Sequence, residues 1–333
     1  MNHWLRKSRI LGGPLPVRAF SLGDVVLGHT TANAGSVTTL EKIQSELHAS
    51  TLLKSLPIHV NPLTREWTDL LTRDYGAVAT GGWNSTCWDE SQSSSSLPTC
   101  VYGDQSAKRT LLLTGDSQAW MWEPAFDKWG QSSGWKVIVL TKGACQPWPD
   151  SQQEFVNDSA FPACRTFQTN VVRYVKATYP SVVVAAGLVP VVPRTSISRV
   201  ETDESEFVTS ITTSGAGILI VHPSPSFYAY NYTARSTLST PTCLARHAQQ
   251  MHVCNDISKG LIMNYYMSVV LNENTLLGKS RLLKLSQLLC NSKCPMIADG
   301  TLVYIDSDHV SYDWAIHVSS ALGEILAPYL KGL

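Results

Sequence analysis

The fold of this chain is constrained most strongly by an alternation of short apolar runs and amphipathic stretches that begins at residue 110. Apolar runs of strand length lie at 110–114, 135–140, 181–186 and 217–222, and helical spacing of apolar residues occurs between them at 118–131 and 165–178. Strands that alternate with helices form a parallel sheet, because each crossover helix must lie on a face of that sheet. The alternation predicts an α/β fold, a three-layer α/β/α sandwich with a parallel sheet.

The first apolar run ends at Gly115-Asp116-Ser117, and a helical pattern follows at once. This arrangement places Ser117 at a strand-to-helix elbow, where its hydroxyl lies above the sheet edge and its N–H lies at the positive end of the new helix. An N–H in that position stabilises a developing oxyanion. The tripeptide alone is more typical of an ordinary capped turn, so the prediction of a nucleophile depends on a general base elsewhere in the chain.

Asp306 and His309, near the C-terminus, supply that base. A carboxylate three positions before an imidazole on a tight turn holds one ring N–H and leaves the other nitrogen facing a serine. Asp308 is the alternative carboxylate, but the side chains of adjacent residues on a turn point apart. We therefore predict Ser117 as nucleophile, His309 as general base and Asp306 as the group that orients it.

Eight cysteines fall as four pairs of neighbours along the chain, which is typical of a disulfide-stapled domain outside the cytoplasm. Sequence does not fix the connectivity, and we expect the simplest one, in which Cys87 pairs with Cys100, Cys145 with Cys164, Cys243 with Cys254 and Cys290 with Cys294. The alternatives are a zinc site and a cytoplasmic protein with reduced thiols. A zinc site is disfavoured because the last pair has no second pair at finger spacing and no histidine close by in sequence.

Composition excludes nucleic acid as a partner, because the 333 residues include 26 Lys and Arg against 26 Asp and Glu, a formal net charge of +0. No apolar run reaches the length of about 20 residues that a transmembrane helix needs. The basic residues near the N-terminus are not followed by the apolar region of a secretory signal. Because the cysteines point outside the cytoplasm and no export signal is visible, we expect the chain to be a domain excised from a longer protein.

Further short segments accompany the Gly-Asp-Ser elbow in a fixed order: Cys100-Val-Tyr-Gly-Asp104, Gly143-Ala-Cys-Gln-Pro147, Pro241-Thr-Cys-Leu-Ala245, Cys290-x-x-x-Cys294 and Tyr304-x-Asp306-x-x-His309-Val-Ser311. In this set the chain resembles the SGNH (GDSL-type) hydrolases, and within them the extracytoplasmic domain that is fused to acyltransferase-3 membrane proteins of bacteria. The resemblance extends over roughly residues 80–330. It implies a flavodoxin-like α/β/α sandwich, with Ser117, Asp306 and His309 as the catalytic residues.

The resemblance also implies an oxyanion hole formed by the N–H groups of Ser117 and Gly143. A third block of the family usually reads Gly-x-Asn-Asp, and its asparagine donates to the oxyanion, whereas this chain has Gly187-Leu-Val-Pro190. Loss of one such donor typically lowers the rate about 100- to 1,000-fold. The departure leaves a hole with two donors, or a hole completed by a residue that the sequence does not identify.

Four weaker candidates for substrate binding lie near the predicted rim: Asp116, Gln118, Gly187 and His222. Gln118 stands where the family often has histidine. Tryptophans are frequent, and those near the elbow and beyond Gly143 either stack on sugars or belong to the core: Trp120, Trp122, Trp129 and Trp148.

The chain is predicted to have three parts: a linker or juxtamembrane arm at 1–40, a helical and loop extension that packs on the core at 41–105, and the SGNH acyl-transfer domain at 106–333. Further helices are predicted at 39–55, 63–75, 255–271 and near 279–289. A final helix, capped by Ser311, carries an apolar stripe.

The resemblance implies an extracytoplasmic O-acyltransferase domain that passes an acyl group, acetyl by analogy, through an acyl-serine to a hydroxyl of a cell-envelope glycan or glycolipid. Its implied partner is an acyltransferase-3 membrane domain, which tethers it to the membrane, and the chemistry needs no metal and no dissociable cofactor. Two alternatives stay open: an O-acetyl or carbohydrate esterase with the same triad, and a non-catalytic glycan-binding domain.

Overall fold

The computed structural model describes residues 39–61, 87–89, 91, 93–97, 100–148, 155–156, 159–160, 162–187, 197–221, 224, 243–244, 246–254, 280–306 and 309–331. All of them belong to the compact unit Val37–Leu333. The predicted division at residues 40 and 105 stays a prediction, and the arm at 1–40 lies almost entirely outside the described residues.

A mostly parallel sheet forms the centre of the described fold. Its strands are β1 (Trp88–Asp89), β2 (Cys100–Gly103), β3 (Thr110–Gly115), β4 (Lys136–Lys142), β7 (Val182–Ala186), β8 (Gly217–Val221) and β9 (Ser280–Leu283). The strand order is β1-β4-β3-β7-β8-β9, and β2 pairs with β4 in the antiparallel sense. Two small antiparallel pairs stand apart, β5 (Phe155–Val156) with β6 (Ser159–Ala160) and β10 (Ile297–Ala298) with β11 (Thr301–Leu302). The predicted parallel sheet is confirmed.

The central strands are apolar on both faces, because helices cover the sheet from both sides. Every residue of β7 is buried, and so are the last five residues of β3. Continuous apolar runs of this kind are typical of parallel strands between two helical layers. The prediction of strands from the sequence was based on these same apolar runs.

Seven described helices form the outer layers: α1 (Thr39–Ser50), α2 (Ser117–Trp120), α3 (Glu123–Ser133), α4 (Pro162–Thr178), α5 (Ile197–Thr212), α6 (Tyr312–His317) and α7 (Ser319–Leu330). One buried cluster joins α1, α2, α3, α6 and α7 to alternate residues of the sheet, and Leu111 and Val184 belong to it. A second cluster joins α4 and α5 to the intervening residues, such as Leu112 and Val183. The three-layer α/β/α architecture predicted from the sequence is therefore confirmed.

The predicted helix at 118–131 is two helices, α2 and α3, because Pro124 lies in the first turn of α3. Proline lacks the N–H that a continuous helix would require, and it is favoured at a helix start. The final helix is also divided, at Val318, into α6 and α7. Ser311 caps α6 as predicted, since its Oγ accepts a hydrogen bond from the Trp314 N–H (3.1 Å).

The predicted helix near 279–289 is wrong. Residues Ser280–Leu283 form strand β9 beside β8, and Leu285–Leu288 form a single 3₁₀ turn. The open edge of β8 offers backbone hydrogen bonds that compete with helix formation in this apolar segment. The first predicted helix ends at Ser50 rather than at 55, and the helices predicted at 63–75 and 255–271 lie outside the described residues.

Four disulfides join the cysteines in the predicted pairs: Cys87–Cys100, Cys145–Cys164, Cys243–Cys254 and Cys290–Cys294. The first pair links β1 to β2, which lie end to end along the outer edge of β4. The second pair links the loop after β4 to the start of α4. Among the described helices, none is both long and apolar enough to cross a membrane.

Candidate active site

Ser117 lies at a sharp elbow between β3 and α2, as the sequence predicts. Gly115, the last residue of β3, has φ +139°, and a Cβ atom there would lie 1.7 Å from the carbonyl oxygen of Ala186. The same carbonyl oxygen accepts a hydrogen bond from the Asp116 N–H (3.3 Å). Only glycine fits this close approach of β3 to β7. The elbow thus depends on the glycine that precedes the serine by two positions.

Asp116 and Gln118, two of the weaker binding candidates, have structural contacts at the elbow. Asp116 is buried and caps α2, because its Oδ1 accepts a hydrogen bond from the Gln118 N–H (2.8 Å). Gln118 is also buried, and its Oε1 accepts hydrogen bonds from the N–H (2.9 Å) and the hydroxyl (3.0 Å) of Ser224. These contacts tie the start of α2 to the segment after β8, and a direct contact of either residue with substrate stays a prediction.

His309 and Asp306 form a closed pair. The Nδ1 atom of His309 lies 2.8 Å from Asp306 Oδ2, and the His309 N–H donates to Asp306 Oδ1 (2.8 Å). The Ile305 N–H donates to the carbonyl oxygen of His309 (3.0 Å), which closes the turn. A proton on Nδ1, which faces Asp306, makes Nε2 the basic nitrogen of the ring. The aspartate in contact with His309 is therefore Asp306, and Asp308 lies outside the described residues.

The His309 turn is fastened directly to the helix that carries Ser117. The Val310 N–H donates to the sulfur of Met121 (3.4 Å), and Met121 follows α2 one turn after Ser117. His309 is buried at 7% exposure, while Ser117 is half-buried. The segment that carries the predicted nucleophile is therefore in contact with the turn that carries the predicted base.

A short segment borders this rim on the β4 side. We call Cys87–Asp89 the strap, because it lies along the end of β4 and is anchored by the Cys87–Cys100 disulfide. The ammonium group of Lys142, whose side chain is fully buried, donates to Asp89 Oδ2 (3.0 Å) and to the carbonyl oxygen of Ser91. No sequence motif predicts this contact, because Lys142 and Asp89 lie 53 positions apart in the chain.

The strap also contacts Gly143, the predicted second oxyanion donor. The Gly143 N–H donates to the carbonyl oxygen of Asp89 (2.8 Å). This N–H is therefore already engaged, and it must leave Asp89 before it can donate to an oxyanion. The oxyanion role of Gly143 stays a prediction, with that requirement added.

The loop after β4 crosses the carboxyl end of β3 and reaches the end of β7. Gly187 is buried there, and a Cβ atom on it would lie 2.6 Å from Pro147 and 3.1 Å from Gln146. Gly187 is thus packed against the loop after β4, and its substrate-binding role stays a prediction. Gln168 holds the loop, because its Nε2 donates to the carbonyl oxygens of Gln146 and Trp148 (2.8 Å each). His222 lies outside the described residues.

The tryptophans near the elbow belong to the core, which was one of the two interpretations of their number. Trp120, Trp122, Trp129 and Trp148 are all buried. Trp88, in the strap, is half-buried and stacks on Trp120, with ring centroids 4.6 Å apart and planes at 18°. The sequence analysis did not single out Trp88, and its position one residue after a disulfide cysteine is the signal that identifies it.

Glu123, at the start of α3, is a buried acid that follows the elbow closely in sequence. Burial, together with the negative charge of Asp127, raises the pKa of Glu123 from 4.5 to about 7, and the Tyr102 hydroxyl offsets part of this rise. Asp127 itself is held by the Gly103 N–H (2.7 Å). The carboxyl of Glu123 therefore changes charge near neutral pH.

One group of described side chains has the composition of a metal site. Glu46, Asp299 and His317 bring three ligand atoms within 4.8 Å of one another. The Nε2 atom of His317 lies 2.8 Å from Glu46 Oε2, and its ring stacks on Trp314. The contact between His317 and Glu46 accounts for this arrangement by itself, so the cluster carries no metal assignment.

The parallel sheet, the glycine elbow and the Asp306–His309 turn are the features of an SGNH-type domain. The model of the family described as "SGNH domain (fused to AT3 domains)" matches residues 86–324, and the chain belongs to this family. A similar solved structure is the periplasmic domain of a lipopolysaccharide acetyltransferase from Salmonella ser. Paratyphi A, with a TM-score of 0.56 and 15% identity over 80% of this chain and 99% of that chain. None of the curated proteins matches this chain in sequence.

Proposed function

We propose that this domain transfers an acyl group, acetyl in the first instance, through an acyl-serine on Ser117 to a hydroxyl group of a cell-envelope glycan or glycolipid. His309 acts as general base and then as general acid, and Asp306 orients it. The observation that carries the proposal is the 2.8 Å contact between His309 Nδ1 and Asp306 Oδ2, on a turn that is fastened to the Ser117 helix at Met121.

In the first half of the reaction, Ser117 Oγ attacks the carbonyl carbon of the acyl donor while His309 Nε2 takes the hydroxyl proton. The bond between the acyl carbon and the donor breaks, and His309 returns the proton to the leaving group. In the second half, the acceptor hydroxyl attacks the acyl-serine and gives its proton to His309. That proton returns to Ser117 Oγ as the serine ester breaks, so the enzyme is regenerated.

Each tetrahedral intermediate carries an oxyanion that needs hydrogen-bond donors. The N–H of Ser117, at the start of α2, is one donor, and the N–H of Gly143 becomes the second when its hydrogen bond to Asp89 opens. The third block of this chain has no asparagine at Gly187-Leu-Val-Pro190. The proposed hole therefore relies on two backbone donors.

We place the domain outside the cytoplasm, tethered by an acyltransferase-3 membrane domain that delivers the acyl group. Two observations support this proposal: the described fold is closed by four disulfides, which persist in oxidising compartments, and domains of this family are fused to AT3 domains. The residues proposed for the reaction form a complete acyl-transfer set without a metal or an organic cofactor.

The test is intact-mass analysis and ester turnover with p-nitrophenyl acetate, for the wild type beside Ser117→Ala and His309→Ala. We expect an acetyl adduct in the wild type and a loss of turnover of at least ~1,000-fold in both variants. The exposed residues Ser132 and His48 provide matched controls, and Ser132→Ala and His48→Ala should keep full turnover. Turnover that survives Ser117→Ala would contradict the proposed nucleophile.

The fate of the acetyl group separates the alternatives. With a neutral oligosaccharide present, a transferase yields acetylated sugar in excess of free acetate, whereas an esterase yields acetate alone. Saccharide binding without turnover or adduct in the wild type would instead identify a non-catalytic glycan-binding domain.

A further inference from the structure

Exposed apolar side chains gather in two segments of the described chain. Five large apolar or aromatic residues are exposed in the described part, and three of them lie in these segments: Leu52 at 68%, Ile58 at 89% and Val253 at 45%. The other two, Val101 and Tyr179, lie in β2 and directly after α4. A single exposed apolar side chain is ordinary, whereas a group of them beside polar and charged residues is typical of an interaction surface.

Backbone contacts join the two segments. The Leu56 N–H donates to the carbonyl oxygen of Ala248 (2.6 Å), and the Met251 N–H donates to the carbonyl oxygen of Lys54 (3.0 Å). Leu56 and Met251 also pack in one apolar cluster, and the Cys243–Cys254 disulfide closes the second segment. The two segments therefore form one continuous piece of the surface.

This piece of surface carries positive charge and no acid of its own. Lys54 and Arg246 are exposed, and neither forms an ion pair within the described part of the chain. Residues 52–59 and 246–253 contain no aspartate or glutamate, although acidic and basic residues balance in the whole chain. We call the exposed side chains of these two ranges the basic face. The basic face thus combines unpaired cations with apolar side chains.

The basic face is joined to the strand that precedes the predicted catalytic turn. The Asn61 N–H donates to the carbonyl oxygen of Gly300 (2.8 Å), and the Leu302 N–H donates to the carbonyl oxygen of Asn61 (2.8 Å). Leu302 ends β11, four positions before Asp306. Asp299, the acid beside Gly300, is grouped with a glutamate of α1 and the histidine of α6. A partner bound at the basic face would therefore set the orientation of the proposed active site.

An anionic lipid bilayer matches both kinds of side chain on this face. Cations of a docked protein lie near the lipid phosphates, and apolar side chains insert at the boundary between headgroups and acyl chains. A soluble polyanion would engage the cations but would leave the apolar side chains in water. A domain that is tethered to a membrane meets the bilayer at high effective concentration, so a weak contact is enough to orient it.

We propose that the basic face docks on the anionic lipid surface of the membrane to which the domain is tethered, and that this contact holds the proposed active site in one orientation. This inference rests on the proposed membrane tether. Lipid binding by the basic face does not depend on Ser117.

The test measures sedimentation of the whole chain with lipid vesicles. We expect binding at millimolar lipid to vesicles of equal parts phosphatidylglycerol and phosphatidylcholine, and weaker binding to pure phosphatidylcholine. Lys54→Gln with Arg246→Gln should lower the partition coefficient for the mixed vesicles about 30-fold, from about 1 kcal/mol for each cation. Leu52→Ser with Ile58→Ser should lower it by at least ~10-fold. All four side chains are exposed, so we expect both variants to keep the thermal unfolding of the wild type.

Matched substitutions elsewhere control for net charge and for apolar surface. Lys108→Gln with Lys176→Gln removes two exposed cations outside the basic face. Val101→Ser with Tyr179→Ser removes the other two large exposed side chains of the described part. We expect both controls to partition as the wild type does.

The outcomes separate the basic face from the proposed function. Equal binding to mixed and pure phosphatidylcholine vesicles, no binding to mixed vesicles, or binding that neither basic-face variant lowers would overturn the docking proposal. Preference for polygalacturonate over lipid would assign the face to an acidic polysaccharide and would overturn it as well. The basic-face variants should keep full turnover of p-nitrophenyl acetate. Lipid binding by a protein that shows no turnover dependent on Ser117 would support the basic face and contradict the transferase.

Discussion

The elbow, Gly115–Trp120, and the strap, Cys87–Asp89, lie on the same rim of the sheet but are held there by different kinds of contact. The elbow is fixed by the backbone itself, through a glycine that packs against Ala186 and an aspartate that caps the next turn. The strap pairs with β4 through two residues. It is also held by the Cys87–Cys100 disulfide and by the ion pair between Asp89 and Lys142, which lie 53 positions apart.

The proposed site thus combines local contacts with contacts between distant parts of the chain. A nucleophile needs a fixed position and a helix N-terminus, and a few consecutive residues provide both. The proposed second oxyanion donor depends instead on which segment pairs with the end of β4.

The largest effect should come from a Cβ atom at the elbow. We expect Gly115→Ala to lower the free energy of unfolding by more than about 4 kcal/mol, or to prevent folding, because the added carbon would lie 1.7 Å from the Ala186 carbonyl oxygen. Gly134→Ala is the control, since Gly134 also has a positive φ but has open space around it, and we expect a loss of about 1 kcal/mol. Equal denaturant midpoints for the two variants would show that the elbow has no special steric requirement.

Release of the strap should cost somewhat less. We expect Cys87→Ser with Cys100→Ser to lower the free energy of unfolding by about 3 kcal/mol, because this disulfide closes a loop of 13 positions, and hydrogen exchange at the Gly143 amide should become faster. Cys290→Ser with Cys294→Ser, which opens a separation of 4, should cost about 2 kcal/mol and leave the Gly143 amide unchanged. Unaltered exchange in the first variant would mean that the disulfide does not hold the strap.

The acid at the exit of the elbow should give a pH-dependent effect. The pKa of Glu123 is about 7 in the folded protein against an ordinary 4.5, so the folded state holds the proton more tightly and stability falls as pH rises through this window. At about 1.4 kcal/mol per pKa unit, Glu123→Gln should raise the free energy of unfolding by on the order of 3 kcal/mol above the window and by little below it. Chemical denaturation below pH 4.5 and above about pH 7 measures this difference in the free energy of unfolding. Glu206→Gln, at an exposed position, is the control. A gain of the same size at both pH values would count against burial as the cause.

The smallest effect should come from the cap of α2. We expect Asp116→Ala to lower the free energy of unfolding by about 1 kcal/mol, and Asp116→Asn to lose less, because the asparagine oxygen still accepts the Gln118 N–H. Thermal unfolding measures the contribution of the cap to stability, and the KM for the ester on the same samples measures any contribution of Asp116 to substrate binding. A raised KM in Asp116→Asn at unchanged stability would assign Asp116 to substrate binding instead of to the cap.

Much of the fold follows from signals that span few residues. The apolar runs at β3, β7 and β8 identified the strands within one or two positions, and the pairing of neighbouring cysteines was correct. The segment at 279–289 was misread because an apolar stretch of this length suits a helix and a strand alike, and only the open edge of β8 decided for a strand.

The candidate site divides in the same way. The Asp-x-x-His spacing predicted the contact between Asp306 and His309, since a turn of four residues closes it without help from the rest of the chain. The choice between core and surface for the tryptophans could not be made from sequence, because Trp88 and Trp120 differ only in what covers them.

The parallel α/β sheet, the serine at the elbow and the Asp306–His309 turn follow from the sequence alone, because each depends on residues close together in the chain or on a repeated pattern. Three contacts arise from the tertiary structure: Lys142 is paired with Asp89, the Asp89 carbonyl oxygen accepts the Gly143 N–H, and Trp88 stacks on Trp120. These contacts join segments that the sheet order brings to one edge, and the free energy of such pairing depends on the neighbours that the completed sheet supplies.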